Sequence, residues 1–113
     1  MKNSLAASIF IMRLQKLIKN NKLLFKPRNR QKTIQFLLNE GLTATDVINL
    51  LKKLTSEDFY GGPFQDDNGS KGDVMLFLKP YKNIKLYIKL KIWRESNKDA
   101  GVIMSFHEEG QYD

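Results

Sequence analysis

The stretch that decides the fold is IKLYIKLKIW, residues 84–93, in which aliphatic side chains alternate with basic or aromatic ones. Every even-numbered position is Ile or Leu, and every odd-numbered position is Lys, Tyr or Trp. A period of two is typical of a β-strand with one buried face, because successive side chains point to opposite sides. We predict that the aliphatic face is buried. The other face, called the open face below, is defined by Lys85, Tyr87, Lys89 and Lys91, and its lysines are expected to be exposed.

The segments around this strand predict helices first and strands afterwards. Apolar residues at helical spacing precede it. In the first helix Ile9, Met12 and Leu17, with the neighbouring Leu14 and Ile18, are expected on or near one face, the buried one. Thr43 and Asp46 offer a capping box for the third helix. Helices are predicted over residues 5–19, 30–39 and 44–54, an extended segment over 23–27, and strands over 73–79, 84–93 and 102–106. This order predicts an α+β domain whose N-terminal helices pack on one face of a small antiparallel sheet of at least three strands.

The composition narrows the class of protein. A chain of 113 residues suits a single domain over residues 1–113, with residues 1–11 as a possible N-terminal extension if Met12 is an alternative start. The absence of cysteine excludes disulfides, thiolate metal sites and a cysteine nucleophile, and it fits a reducing cytoplasm. A single histidine makes a poor start for a zinc site. No apolar run reaches the ~18 residues that a membrane span needs.

The charge of +7 is unevenly distributed along the chain. Basic residues are concentrated in residues 1–54 and 74–94, and the second of these blocks contains no Asp or Glu. Such a balance indicates phosphate-bearing or acidic partners. The intervening stretches GGPFQDDNGSKGD, residues 61–73, and RESNKDAG, residues 94–101, are dense in turn formers, and we expect flexible loops there, the first of them solvated and acidic.

Alternation along residues 102–107 adds a histidine to the open face. The more apolar set, Val102, Met104 and Phe106, is expected on the helix side, which leaves Ser105 and His107 on the open face if the strand has no bulge. Histidine and tyrosine can transfer protons, lysines can stabilise a phosphate in its transition state, and RNA supplies its own 2′-hydroxyl nucleophile. This face therefore suits a metal-free ribonuclease, with ordinary surface residues as the alternative interpretation.

Three segments resemble the MqsR family of toxins from bacterial toxin–antitoxin modules: LTSEDFY at residues 54–60, LYIKLKI at 86–92 and VIMSFHEEG at 102–110. Their order and spacing match as well, and the resemblance covers about residues 13–109. It implies a RelE-like fold and messenger-RNA cleavage that an antitoxin holds in check. Two positions depart from the family pattern, because Gly61 and His107 stand where lysine is often found.

These observations lead to the hypothesis of a cytoplasmic, metal-independent endoribonuclease toxin that needs no cofactor and binds a cognate antitoxin. The predicted catalytic residues are His107 as general acid or base, Tyr87 as its assistant, and Lys89 as a phosphate ligand. The predicted RNA-binding residues are Tyr60, Lys71, Lys79, Lys85 and Lys91. The alternatives are a nucleic-acid-binding module without catalysis and a domain that binds an acidic protein partner. The oligomeric state stays open.

Overall fold

Three helices and a five-stranded sheet form the part of the chain that the structure, a computed structural model, describes: residues 4–27 and 30–110. The elements are α1 (Ser4–Lys19), β1 (Leu23–Phe25), α2 (Arg30–Glu40), α3 (Ala44–Leu51), β2 (Phe59–Phe64), β3 (Asp73–Tyr81), β4 (Ile84–Glu95) and β5 (Lys98–Glu108). The strand order is β1-β5-β4-β3-β2, in which β2 to β5 are an antiparallel meander and β1 pairs with β5 in parallel. The predicted α+β class is confirmed.

The aliphatic face of β4 is the floor of the hydrophobic core. Leu86, Ile88, Leu90 and Ile92 are at most 1% exposed, whereas Ile84 at the start of the strand is partly buried. The three helices supply the residues that cover this face, and they belong to the same core cluster. The predicted burial of the even-numbered residues is confirmed for four of the five positions.

Helix α1 buries only part of its predicted apolar face, because Leu14, Leu17 and Ile18 are buried as predicted and two other members are not. Its buried residues include Ala7, Phe10 and Leu14, while Ile9 and Met12 are 51% and 70% exposed. The spacing of Ala7, Phe10 and Leu14 also follows the helical repeat. The prediction for Ile9 and Met12 is wrong because α1 has apolar residues on two sides. Ala7 and Phe10, from the segment considered as an extension, belong to the core.

Helix α2 covers the edge of β5 that β1 leaves uncovered. The parallel pairing with β1 reaches only from Gly101 to Ile103 of β5. Beyond it, the fully buried Thr33 of α2 accepts a hydrogen bond from the backbone N–H of Phe106 at 3.2 Å. This contact satisfies a backbone donor that would otherwise lie unpaired at a strand edge. It also brings α2 beside the last residues of β5.

A bulge in β5 changes which of its side chains reach the core. Lys89 of β4 lies opposite Ser105, but the next residue, Leu90, lies opposite Ile103, so that Met104 is an extra residue in the ladder. An extra residue shifts the alternation of the bulged strand by one position.

The bulge corrects the predicted faces of β5. Ile103 and Phe106 belong to the core cluster. Val102 and Met104 instead line a cleft on the open face. The prediction that Val102 and Met104 face the helices is wrong, because it assumed a regular strand. His107 lies after the bulge, opposite Tyr87, and keeps its predicted face.

Strands β4 and β5 are joined by a tight turn where a flexible loop was expected. The turn consists of Ser96 and Asn97, which both have positive φ, 51° and 65°. Positive φ at both central residues is the requirement of a type I′ hairpin turn. The expectation of a loop over residues 94–101 is therefore wrong, since β4 continues to Glu95 and β5 begins at Lys98.

An ion pair ties α1 to this hairpin. The Arg13 guanidinium donates from Nε to Asp99 Oδ2 at 3.0 Å and from Nη2 to Asp99 Oδ1 at 3.1 Å. These hydrogen bonds hold the pKa of Asp99 below its usual value and raise the pKa of Arg13. Both side chains are mostly buried, at 26% and 19% exposure, so that solvent screens the pair only in part.

We expect Asp99→Asn to lower the free energy of unfolding at pH 7 by about 1.5–3 kcal/mol, the usual contribution of hydrogen bonds to charged groups. Because the pKa of Asp99 is lower in the folded chain than the ~3.9 of an unfolded one, its contribution is complete above about pH 4 and is lost as pH falls through the lowered pKa. Urea unfolding of both proteins at pH 7 and pH 3 measures this. An equal difference at the two pH values would contradict it.

Candidate functional site

The residues on the open face of β4 differ in exposure more than their regular alternation in the sequence predicts. Lys85 is exposed, Tyr87 and Lys89 are partly buried, and Trp93 at the far end is partly buried too. Lys91 is buried. The predicted exposure of the three lysines is therefore confirmed for Lys85, met only in part for Lys89, and wrong for Lys91.

Tyr87 and His107 form the centre of the candidate site. They lie directly opposite each other on β4 and β5, and their rings stack with centroids 5.2 Å apart and planes inclined by 27°. Side chains opposite each other across antiparallel strands are close enough for such contacts. The structure thus brings together two of the three residues predicted to be catalytic, and the third, Lys89, lies two positions along β4 on the same face.

The imidazole of His107 is held in one orientation. Its Nδ1 lies 2.9 Å from the backbone carbonyl oxygen of Glu108. A carbonyl oxygen only accepts, so Nδ1 carries the proton of this hydrogen bond, and Nε2 is the ring nitrogen that can gain or lose a proton. His107 is 5% exposed and packs against Tyr87, which differs from the ordinary surface residue considered above.

A cleft of about 310 Å³ separates His107 from α2. Its α2 side follows one helical face, with Lys32, Gln35 and Asn39 as the polar members. Gln35 Nε2 donates to Asn39 Oδ1 at 2.9 Å, which orients both amides. Nothing in the sequence singles out Gln35 and Asn39, because their role depends on α2 packing beside β5. The cleft places an ammonium group and two amides near the imidazole.

A smaller cleft of about 120 Å³ lies on the other side of Tyr87. Tyr87 and Lys89 line it with apolar residues of β3, and Phe64 at the end of β2 and Asp67 in the following loop complete its lining. Tyr87 therefore lies between two depressions of the surface, one towards α2 and one towards β3. A chain-like ligand has room on both sides of the stacked pair.

A loop that folds back onto the open face explains why Lys91 is buried. Asp66 accepts a hydrogen bond from Lys91 Nζ at 2.7 Å, and the Ser70 hydroxyl contacts the same ammonium group. The Asp66 side chain is 0% exposed and that of Lys91 is 8% exposed. The loop after β2 is thus anchored to β4. The expectation that this loop is solvated is wrong for Asp66, which is buried. A buried ammonium requires such a partner, since an unpaired buried charge is costly.

The remaining predicted RNA-binding residues lie away from the stacked pair. Lys79 pairs with Leu86 in the ladder, so it faces the helix side, and its Nζ donates to the Lys53 carbonyl at 3.3 Å. Tyr60 is 49% exposed in the edge strand β2, and Lys71 is exposed in the loop before β3. Lys79 and Lys91 therefore do not contribute free ammonium groups to the open face.

Comparison with known proteins finds no matching family model, no matching curated protein and no matching solved structure. The resemblance to the MqsR family and its RelE-like fold therefore stays a prediction. Within residues 4–27 and 30–110, no three or more His, Cys, Asp or Glu side chains are grouped so that they could hold a metal ion. None of the helices in that part of the chain has the length and apolar character required to cross a membrane.

We expect Asp66→Asn to destabilise the protein by about 3–5 kcal/mol, because it leaves the Lys91 ammonium buried without its counter-charge. The exposed neighbour Asp67 provides the matched control, and Asp67→Asn should change stability by less than about 0.5 kcal/mol. Adding Lys91→Met to Asp66→Asn should restore part of the loss, since the unpaired charge is then absent. Urea unfolding of the wild type, the two single variants and the double variant measures these differences in stability. Equal effects of Asp66→Asn and Asp67→Asn would contradict a buried ion pair between Asp66 and Lys91.

Proposed function

We propose that this protein is a metal-independent endoribonuclease that cleaves RNA at the stacked Tyr87–His107 pair. The observation that carries the proposal is the direct stacking of the only histidine on Tyr87, on a sheet face that also bears Lys85 and Lys89. A proton-transferring imidazole beside cations is the minimum that RNA cleavage requires, because the substrate contains its own nucleophile.

The reaction is an internal transfer at phosphorus. The 2′-oxygen of a ribose attacks the adjacent phosphorus, and the bond from phosphorus to the 5′-oxygen of the next nucleotide breaks. Nε2 of His107 either takes the proton from the 2′-hydroxyl, while water protonates the departing 5′-oxygen, or delivers a proton to the 5′-oxygen, while water takes the 2′-hydroxyl proton. The products are a 2′,3′-cyclic phosphate and a 5′-hydroxyl. The Tyr87 ring holds the imidazole plane, and the Glu108 carbonyl fixes its tautomer.

The charges around the pair fit a phosphate substrate. Lys89 lines the small cleft beside Tyr87, and Lys85 is exposed two residues before Tyr87 on the same face. Lys32 lines the cleft beside His107 from the α2 side. Cations placed where negative charge develops lower the barrier to phosphoryl transfer. We assign Lys89 and Lys85 to the phosphates, with Lys32 as a third cation that the structure adds.

The biological role that we propose is that of a cytoplasmic toxin, which an antitoxin neutralises by covering the basic open face. This part rests on the three segments that resemble the MqsR family. Under this proposal, Tyr60 and Lys71 remain predicted contacts of the RNA. Induction of the chain in bacteria, followed by growth measurement and mapping of transcript 5′ ends, tests it directly. Normal growth with unchanged transcripts would contradict the toxin role.

A second function is favoured by the burial of His107. Its side chain lines the cleft beside α2 but is only 5% exposed, which is the arrangement expected if the stacked pair is structural. In that case the open face binds RNA through its lysines and aromatic rings without cleaving it.

Replacement of His107 by glutamine should lower the rate of RNA cleavage by about 10²–10⁴, the usual contribution of a placed proton-transfer group. Glutamine retains a polar side chain at this buried position but cannot transfer a proton. Tyr87→Phe retains the stacked ring and removes only the hydroxyl, so it separates packing from proton transfer. Cleavage of one RNA is compared for the three proteins, with circular dichroism and urea unfolding as controls for folding.

Full cleavage by folded His107→Gln protein would remove His107 from the reaction. If the wild-type protein binds RNA tightly and does not cleave it, the binding function replaces the proposed one. Cleavage should also persist in the presence of EDTA, since no metal takes part in the proposed reaction.

Changing Lys85 and Lys89 to alanine should reduce the salt dependence of RNA binding. Each phosphate contact contributes about one unit to the slope of log K against log salt, because bound phosphate releases counterions. Lys52 and Lys53 are exposed at the end of α3 and provide a control pair of equal charge. Filter binding between low and moderate salt gives the slopes. If the Lys52 and Lys53 pair has the larger effect, the RNA footprint lies on the helix side.

A further inference from the structure

A third cleft, of about 350 Å³, lies at the far end of the open face, where β4 and β5 meet β1. Its volume is within the ~300–1,000 Å³ of typical small-ligand sites. No step of the proposed cleavage reaction uses it. The residues that line it include Leu24, Lys26, Asn68, Trp93, Val102 and Met104.

Trp93 is the aromatic wall of this cleft and the only tryptophan of the chain. Its ring is partly exposed on the side of the sheet that the helices do not cover. The Lys91 ammonium lies 5.6 Å from the ring centroid, and Asp66 holds that ammonium in place. This cation–π contact favours the present orientation of the indole, and the ring lines the cleft. A fixed, partly exposed indole is a surface on which a planar ring can stack.

The rest of the cleft combines apolar walls with polar groups at the rim. The bulge in β5 places Val102 and Met104 here, and the 46% exposed Leu24 of β1 extends the apolar wall. Asn68 Oδ1 accepts hydrogen bonds from the N–H of Ser70 at 2.9 Å and from its hydroxyl at 2.6 Å, so the Asn68 amide nitrogen is the group that can donate to a ligand. Lys26 brings a positive charge to the same cleft.

We propose that this cleft binds a nucleobase of RNA. The base stacks against Trp93 between the apolar walls, the Asn68 amide donates a hydrogen bond to an acceptor on the base edge, and the Lys26 ammonium binds the neighbouring phosphate. An apolar side chain of a protein partner would use the walls alone, whereas a nucleotide uses the ring, the donor and the cation together. The basic composition of residues 74–94 favours the nucleotide.

The cleft lies at a defined distance from the proposed cleavage site. Trp93 and Tyr87 share the open face of β4 and are six residues apart, which is about 20 Å of strand. At a stacked rise of ~3.4 Å per nucleotide, an RNA of about six nucleotides spans both positions, and a more extended strand needs fewer. The inference rests on the proposed function only in taking RNA as the ligand, since base binding at Trp93 requires no cleavage.

The emission of Trp93 provides a direct test, because no other tryptophan contributes to it. The probe is an all-deoxy hexanucleotide, which lacks the 2′-hydroxyl and cannot be cleaved by the proposed reaction. We expect saturable quenching by the hexanucleotide and much weaker binding of a mononucleotide. Fluorescence anisotropy of a labelled hexanucleotide measures the affinity of variants that lack tryptophan.

The variants separate stacking from charge. Trp93→Ala should weaken binding by about 5- to 150-fold, because a stacking contact is lost. The salt slope should not change, because the substitution removes no charge. Trp93→Phe should retain most of the affinity. Lys26→Ala should lower the salt slope by about one. Ile9→Ala, which removes an exposed apolar side chain from α1, is the control and should have no effect.

Each outcome bears on one proposal. Binding of the labelled hexanucleotide without any change in Trp93 emission would overturn the inference, and so would unchanged affinity in folded Trp93→Ala protein. RNA cleavage by the wild type together with either result leaves the proposed function intact and rejects only the base subsite. Saturable quenching that Trp93→Ala weakens, in a wild-type protein that cleaves no RNA, supports the subsite and contradicts the nuclease.

Discussion

The rest of the structure depends on the burial of one aliphatic face of β4. Leu86, Ile88, Leu90 and Ile92 are almost completely removed from water, and each such side chain contributes roughly 1.5–3 kcal/mol by its burial. Because the side chains of a strand alternate, burial of the even-numbered residues places the odd-numbered ones on the opposite face of the sheet. The open face with its lysines and aromatic rings is therefore a consequence of the hydrophobic core.

The chemistry available on the open face depends on the segments and side chains that pack against it. The loop after β2 brings Asp66 onto Lys91, which removes one positive charge from the solvent and anchors the loop across the sheet. The face is thereby divided into two parts. Tyr87 and His107 lie on one side of this contact, beside Lys89, and Trp93 lies on the other. The Lys91 ammonium of this ion pair also lies 5.6 Å from the centroid of the Trp93 ring, a cation–π contact.

Helix α2 and the bulge in β5 place His107. The bulge at Met104 moves Ile103 into the core while His107 stays opposite Tyr87. The hydrogen bond from the Phe106 backbone to Thr33 holds α2 against this end of the strand, where the helix forms the second wall of the His107 cleft. A small irregularity in one strand and one side-chain acceptor on a helix thus create the surroundings of the imidazole.

The sequence by itself determined the elements that arise from local periodicity: the alternation of residues 84–93, the helices of the N-terminal half, and the Thr43–Asp46 capping box, in which each residue bonds the other's backbone. It also predicted Tyr87 and His107 on one face, on the assumption of a regular β5, whereas in the structure the bulge at Met104 is what brings His107 opposite Tyr87. Only the tertiary structure decided the buried side of α1, the bulge at Met104, the position of α2 beside β5, and the partner of Lys91, which is 25 residues away along the chain. Periodic patterns depend on neighbours within a few residues, whereas an ion pair or a bulge depends on contacts that exist only after distant segments have packed together.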